Sequence, residues 1–540
     1  MAPASFPLLA RVLAHAKSAP DSTAIVDVPQ SLSISYAQLC ADILALTSLL
    51  SPLIREPETR VVVLCEKGYL VPLTMLSTWT AGGLSVPVLP SLPIPEQAYM
   101  ASNSDAQLVV CDAKNRLRAE ELKSEILKEN VSAEVLEVSL ETIRKSSPAQ
   151  DAVSSLATLP QLDGERRAMM LFTSGTTGRP KGVVTRHSAL AAQVSAVADT
   201  WHWSPSDNLL HVLPLNHLHG IVVALLPTLW AGATVELWEK FDGPAIWKRW
   251  INEQGLEPIT MFFGVPTVYS RLIQTHATFS PELQDAATAG SSKLRLQVSG
   301  SAPLPESVKK TWEKEGGVGG GQVLLERYGM TETGIIASNG WETEKRVKGH
   351  VGYPLTGTQI RLWSEESQTP ITAPDTQGEV QVSGPPITKE YWRLPEATAN
   401  EFIDGWFKTG DVGVWSSEPG AEGQLKVLGR KSTDIIKSGG EKISAVEIER
   451  AILELPGMKD CAVVGVENEE WGQVVAVCLV TSRPQVSVKD LREELRSVIA
   501  PYKLPKLLKL YDNEIPRNES RNMGKVNKKK LLLEAFPSGA

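Results

Sequence analysis

The stretch Leu171-Phe-Thr-Ser-Gly-Thr-Thr-Gly-Arg-Pro-Lys-Gly182 runs from an apolar strand into small hydroxyl and glycine residues and closes on a lysine. Glycine lets the backbone approach a ligand closely and accepts positive φ. Successive main-chain N–H groups in such a turn form a concavity suited to anions. Thr173, Ser174, Thr176 and Thr177 add hydroxyl donors, Gly175 and Gly178 add freedom, and Lys181 adds charge. The segment reads as a phosphate loop entered from a strand. It is not a Walker loop, which needs Gly-Lys followed by Ser or Thr at a helix start. Here Gly178 precedes Arg179-Pro180, and Lys181 precedes Gly182.

On either side of the loop, short apolar β-branched runs alternate with helical patterns. RVVVLCE (60–66), LSVPVLP (84–90) and AQLVVCD (106–112) precede it. MMLFTS, NLLHVLPL, ATVELW, TMFFGVP and LRLQVSG, between 169 and 300, form a second set. This alternation predicts an α/β fold of parallel sheets covered by helices. The polar stretch 140–166 shows no period and reads as a linker. From about 350, dense Pro and Gly and the runs TQIRLW and GEVQVSG imply a small β-rich unit, ending in a hairpin at GVWSSEPGAEGQLKVLGR. After Arg430 follow helix (AVEIERAILEL), strands (CAVVGV, VVAVCLV), helix (VKDLREELRSVI) and a basic tail. The expected organisation is a large N-terminal domain, 1–430, with subdomains 1–165, 166–345 and 346–430, then a small mobile α+β domain, 431–540.

The 540 residues are 42% hydrophobic and 21% charged, with 54 Lys and Arg against 62 Asp and Glu and a net charge of -8. This is globular composition too long for one core. An acidic chain without a basic stripe argues against nucleic acid as a partner, and no apolar run is long enough to span a membrane. The cysteines Cys40, Cys65, Cys111, Cys461 and Cys478 are odd in number and scattered. They imply a reducing compartment, cytoplasm or alternatively the mitochondrial matrix, rather than disulfides or a zinc site. The N-terminus carries Arg11 and Lys17 and no acid before Asp21, as transit peptides do. Leu8, Leu9, Val12 and Leu13 at helical spacing favour a helix packed on the body.

Four further segments follow the loop: Glu326-Arg-Tyr-Gly-Met-Thr-Glu-Thr-Gly334, Gly405-Trp-Phe-Lys-Thr-Gly-Asp411, Gly429-Arg-Lys-Ser-Thr-Asp-Ile-Ile-Lys-Ser-Gly-Gly-Glu-Lys-Ile443, and Pro516-Arg517 with Met523-Gly-Lys525. In this order, over nearly the whole chain, they resemble the acyl-adenylate-forming superfamily of acyl-CoA synthetases, adenylation domains and luciferases. The resemblance implies an ATP-dependent enzyme that forms an acyl-AMP with Mg2+ and passes the acyl group to coenzyme A. It puts Thr173 to Lys181 on the ATP phosphates, and Glu326, Arg327, Tyr328, Gly329 and Met330 along the nucleotide. Tyr328 and the backbone of Gly300, Ser301 and Ala302 would meet adenine. Thr331 would contact the α-phosphate, Glu332 would coordinate Mg2+, and Asp411, in a tight turn, would hold the ribose with Arg430. Lys525 would be catalytic in adenylation. Ser438, Gly439 and Gly440 would then line the pantetheine path after the small domain rotates about Ser432 or Thr433.

The acyl pocket implied by the resemblance uses Leu213-Pro-Leu-Asn-His-Leu-His-Gly220 and Phe263-Gly-Val-Pro-Thr-Val-Tyr-Ser-Arg-Leu272. His217 would lie near the reacting carboxylate, with Met330 also against the acid. Within the superfamily the pattern is similar to malonyl-CoA synthetases, in which Arg271 and His219 would read a second carboxylate. A buried arginine binds a carboxylate bidentately, which would favour malonate, with methylmalonate a close competitor. The alternatives are an exposed Arg271 and a core His219, within a medium-chain, oxalate or aryl-CoA ligase. A non-catalytic acyl- or nucleotide-binding protein is the alternative of another class.

Overall fold

The computed structural model describes residues 3–146, 151–173, 179–438, 441–468, 470–517 and 526–537. Two mostly parallel sheets form the body. The first orders its strands Glu134–Glu137, Leu108–Cys111, Arg60–Leu64, Leu84–Pro87, Arg167–Thr173 and Lys181–Arg186, with only the last pair antiparallel. The second has nine strands. Its centre, from Leu325–Met330 through Leu296–Ser299, Met261–Gly264, Asn208–His211 and Thr234–Leu237 to Thr23–Asp27, is parallel.

The unbroken apolar run at 60–64 follows from burial on both faces. Val61 and Val63 join the apolar cluster shared with the second sheet, and Val62 and Leu64 join a cluster on the outer face. Between the sheets lies the helix Leu70–Thr80, buried at every position, and Asp27 Oδ2 accepts the Tyr69 N–H at its start at 2.7 Å. The helix Pro7–Ser18 packs Leu8, Leu9, Val12 and Leu13 inward, as their spacing predicts.

Two expectations are corrected. The stretch 140–166 is not a plain linker. It holds the helices Leu140–Ser146 and Ala152–Ala157, anchored by buried Ile143 and Leu156 and by Arg144 on buried Asp42. Helices this short show no hydrophobic period. The cut at 165 also does not follow the sheets. Thr23–Asp27 and Leu32–Ser35 complete the second sheet, whereas Arg167–Thr173 and Lys181–Arg186 complete the first. A buried strand's composition does not encode which sheet it joins.

The third unit is an antiparallel sheet in which Trp406–Trp415 pairs with Gly378–Ser383 and Leu425–Arg430. The residues beyond it build a five-stranded sheet covered by the helices Ala445–Leu453 and Val488–Leu495, with their own apolar core. All five cysteines are buried free thiols, and burial pushes Cys40 up to about 12. No helix among the described residues is long and apolar enough to cross a membrane.

Candidate active site

Ligands of open α/β sheets gather beyond the carboxyl ends of the strands. His211, Gly264, Ser299 and Met330 end four neighbouring strands of the second sheet. The segments carrying His217 and His219, Arg271, Ser301 and Glu332 follow those ends, so topology gathers what sequence scatters.

The phosphate loop hangs between two paired strands, with Thr173 opposite Lys181. Ser174, Gly175, Thr176, Thr177 and Gly178 lie outside the described residues. Pro180 O accepts from Tyr99 Oη at 2.8 Å, which fixes the exit of the loop. Lys181 Nζ lies 4.8 Å from the Tyr391 ring centre and 4.0 Å from Glu401 Oε1.

The strands Leu325–Met330 and Gly334–Ser338 form a hairpin whose turn carries Thr331 and Glu332. Gly334 sits at φ +69, and a Cβ there would meet Gln193 Oε1 at 1.7 Å, so this tight return requires glycine. Thr331 and Glu332 line a small cavity with Leu218 and Val222. Glu332 is buried, which pushes its carboxyl up, and Tyr391 Oη donates to Glu332 Oε1 at 3.0 Å. Glu326, two residues before Tyr328 on the same strand, forms a buried ion pair with Lys309 at 2.9 Å.

Asp411 is also corrected. The turn before it lies at Asp404–Gly405, whereas Asp411 is buried within the strand Trp406–Trp415, opposite Arg430. Tyr328 Oη donates to its Oδ2 at 2.5 Å, and Arg430 Nε lies 3.0 Å from its Oδ1. Tyr328, Asp411 and Arg430 thus form one prepared acceptor site.

A third cluster forms around Arg327, which is 6% exposed. No carboxylate among the described residues pairs with it. Its Nη2 donates to Ser301 Oγ at 2.9 Å, and Ser301 Oγ lies 3.4 Å from His219 Nδ1. Arg327 Nε and His219 Nε2 are buried without partners among the described residues. Burial holds Arg327 below its usual range, and holds His219 well below its own, hence neutral. Gly300 makes room for this guanidinium, since a Cβ would meet Arg327 Nε at 2.4 Å, and Ser301 takes φ +67. His219 opens a π-helical segment, His219–Leu225, of a kind frequent at functional sites.

Arg271 does not join this cluster. In the helix Pro266–His276 the buried face is taken by Val268, Tyr269 and Leu272, which turns Arg271 to the exposed side. The buried arginine beside His219 is instead Arg327, seen in the sequence only as part of a nucleotide segment. His217 is exposed, Met330 half-buried and Ala302 exposed. Ser438 is buried at a strand end, while Gly439, Gly440 and Lys525 lie outside the described residues. Tyr391, in the loop before the helix Pro395–Glu401, and Glu401, at the end of that short helix, carry no sequence signal, because only their neighbours in space give them a role.

Residues 12–392 match the model of the AMP-binding enzyme family, and residues 447–522 match the AMP-binding enzyme C-terminal domain. The chain belongs to the AMP-binding enzyme family. Among its relatives in this family is a CoA ligase of Gibberella moniliformis, 40% identical over 88% of this chain and 85% of that one. A mitochondrial malonate–CoA ligase of Mus musculus is 39% identical over 89% of this chain and 82% of its own. The crystal structure of ATP-bound MatB from Rhodopseudomonas palustris superposes with a TM-score of 0.80 at 30% identity, covering 98% of this chain and 99% of that one. The two-sheet body with its C-terminal domain is thus the fold of AMP-binding enzymes.

Proposed function

We propose that this AMP-binding enzyme joins malonate to coenzyme A through a malonyl-AMP intermediate, at the expense of ATP. The observation that carries the acid is the buried Arg327, without a carboxylate partner among the described residues and bonded to Ser301 beside neutral His219. An apolar acyl chain would leave these donors unpaired, at a cost of about 2–5 kcal/mol. A second carboxylate would satisfy them. The malonate–CoA ligase relative from mouse supports the same reading.

A substrate carboxylate oxygen attacks the α-phosphorus, and the bond to pyrophosphate breaks. The thiol sulfur of coenzyme A then attacks the acyl carbonyl, AMP leaves, and the thiol proton passes to solvent. Both partners of the first step are anions, so preorganised positive charge supplies most of the catalysis. Lys181 and the loop from Thr173 hold the phosphates, Thr331 the α-phosphate, and Lys525 spans the carboxylate and α-phosphate. Asp411, held by Tyr328 and Arg430, accepts from the ribose hydroxyls. Ser438, Gly439 and Gly440 are the residues assigned to the pantetheine path.

Glu332 fits Mg2+. It is a desolvated hard oxygen donor, and no group of three or more His, Cys, Asp or Glu among the described residues forms a cage. Mg2+ keeps waters and substrate phosphates as its other ligands. When bound it supplies neutralisation of the phosphate charge. The buried free thiols support a reducing compartment, cytoplasm or mitochondrial matrix.

The test is AMP release with ATP, Mg2+ and coenzyme A across malonate, methylmalonate, oxalate, acetate, octanoate and benzoate. Malonate-dependent and coenzyme A-dependent release is expected. Release with octanoate or benzoate but not malonate would remove the dicarboxylate reading and keep the adenylation chemistry.

A further inference from the structure

The segment from Thr388 to Trp392 is a strap that ties the exit of the phosphate loop to the turn carrying Glu332. Trp392 N donates to Gly182 O at 2.8 Å, and Val184 N donates to Glu390 O at 3.3 Å. Thr388 Oγ1 donates to Val184 O at 2.7 Å, while Thr388 N donates to Glu332 O at 2.7 Å. Glu390 adds ion pairs to Arg167 at 2.9 Å and Arg186 at 2.7 Å. A Cβ at Gly182 would meet Met170 Sδ at 2.7 Å, so the strand under the strap is closely packed.

Tyr391 sits at the centre of the strap, 6% exposed, with its own N–H donated to Thr398 Oγ1 at 3.0 Å. Its two ends face different groups. The ring carries the Lys181 ammonium 4.8 Å from its centre, within the roughly 6 Å range of a cation–π contact. The hydroxyl donates to Glu332 Oε1 at 3.0 Å. One rigid side chain therefore touches both the lysine assigned to the phosphates and the carboxylate assigned to the metal.

We propose that Tyr391 is a positioning residue for the MgATP complex, orienting Glu332 through its hydroxyl and Lys181 through its ring. This rests on the assignment of Glu332 to the metal. A ligating carboxylate with a fixed hydrogen-bond donor presents one oxygen in a set direction, and loss of such a partner typically lowers metal affinity about 10–100-fold. The two contacts are separable, because phenylalanine keeps the ring and loses the hydroxyl, whereas leucine loses both.

The experiment measures Mn2+ binding in the presence of saturating ATP by electron paramagnetic resonance, together with the KM for ATP in adenylate formation. Tyr391→Phe is expected to weaken Mn2+ about tenfold or more, with the KM for ATP at saturating metal unchanged. Tyr391→Leu is expected to weaken Mn2+ similarly and to raise the KM for ATP as well. Thioester formation from preformed malonyl-AMP should fall less than adenylate formation in both Tyr391 variants. Glu332→Gln is the control. If it weakens Mn2+ and Tyr391→Phe does not, the positioning role is refuted and the metal assignment stands. If Glu332→Gln leaves Mn2+ binding unchanged, the metal assignment itself fails and the proposal fails with it.

Discussion

Arg327 brings a charge into a buried position where, among the described residues, Ser301 alone answers it. Taking a charge out of water is expensive, and the expense is recovered only by a well-placed counter-charge. No carboxylate among the described residues supplies that counter-charge, and in the proposed reaction the second carboxylate of malonate would. Arg327→Gln should raise the KM for malonate about a hundredfold or more, while the KM for ATP moves far less. Arg271→Gln should change the KM for malonate less than about fivefold, because exposed ion pairs contribute at most about 1 kcal/mol. Malonate titrations of the two variants decide between them, and a larger effect at Arg271 would return the reading role to that residue. The sequence resemblance implied an arginine beside His219, and in the structure the buried arginine there is Arg327, not Arg271. Arg271 occupies the outer side of a helix whose apolar positions set its rotation, whereas Arg327 reaches His219 only through Ser301, on another strand end.

Elements place these groups by their ends. The hairpin Arg167–Thr173 with Lys181–Arg186 presents the phosphate loop, and the helix His187–Thr200 begins directly after it. His187, the first residue of that helix, is buried against Phe6 and Trp79, with ring centres at 5.2 and 6.0 Å. Burial lowers its pKa from 6.5 to about 3. The unfolded chain therefore binds a proton at His187 below pH about 6.5 that the folded chain refuses until about 3. This contribution is present in full above 6.5 and is lost as pH falls toward 3, at about 1.4 kcal/mol per pH unit. His187→Phe, which keeps the ring contacts, should flatten the fall in stability between pH about 7.5 and about 5. Urea unfolding of both proteins at the two pH values checks this, and parallel slopes would mean that His187 protonates within the fold. The neutrality of His187 was not legible in the sequence, since it depends on Phe6 and Trp79, distant along the chain.

At the scale of the whole molecule, the alternation of runs sufficed to predict two α/β units, a β-rich unit and a terminal α+β unit. The exchange of strands across position 165 was beyond reach, because long-range pairing is not written in local composition. The junction after Arg430 depends on both levels. Lys431 N donates to Gly410 O at 2.9 Å, which ties it to the large body. Asp434 is held by Lys528, 2.5 Å from its Oδ1, and Lys528 also pairs with Glu449 at 2.7 Å, which ties Asp434 to the C-terminal unit. Ser432 and Thr433 lie between these two anchors, with Thr433 N on Arg430 O at 3.2 Å. If the C-terminal unit rotates between half-reactions, the dihedral change concentrates at these two residues. Proline fixes φ near -65° and restricts the residue before it. Ser432→Pro removes no N–H that donates to another main-chain group, but it restricts Lys431 in the turn closed by Thr433 N on Arg430 O, so unfolding is measured beside the two rates. Adenylate formation, read by pyrophosphate exchange, and thioester formation from synthetic malonyl-AMP should then diverge by at least about tenfold, a barrier difference of about 1.4 kcal/mol. Ser432→Ala should leave both rates as they were. An equal fall in both steps for Ser432→Pro, with unfolding unchanged, would place the hinge elsewhere in the chain. An unequal fall would show that one turn of backbone separates two reactions performed in a single site.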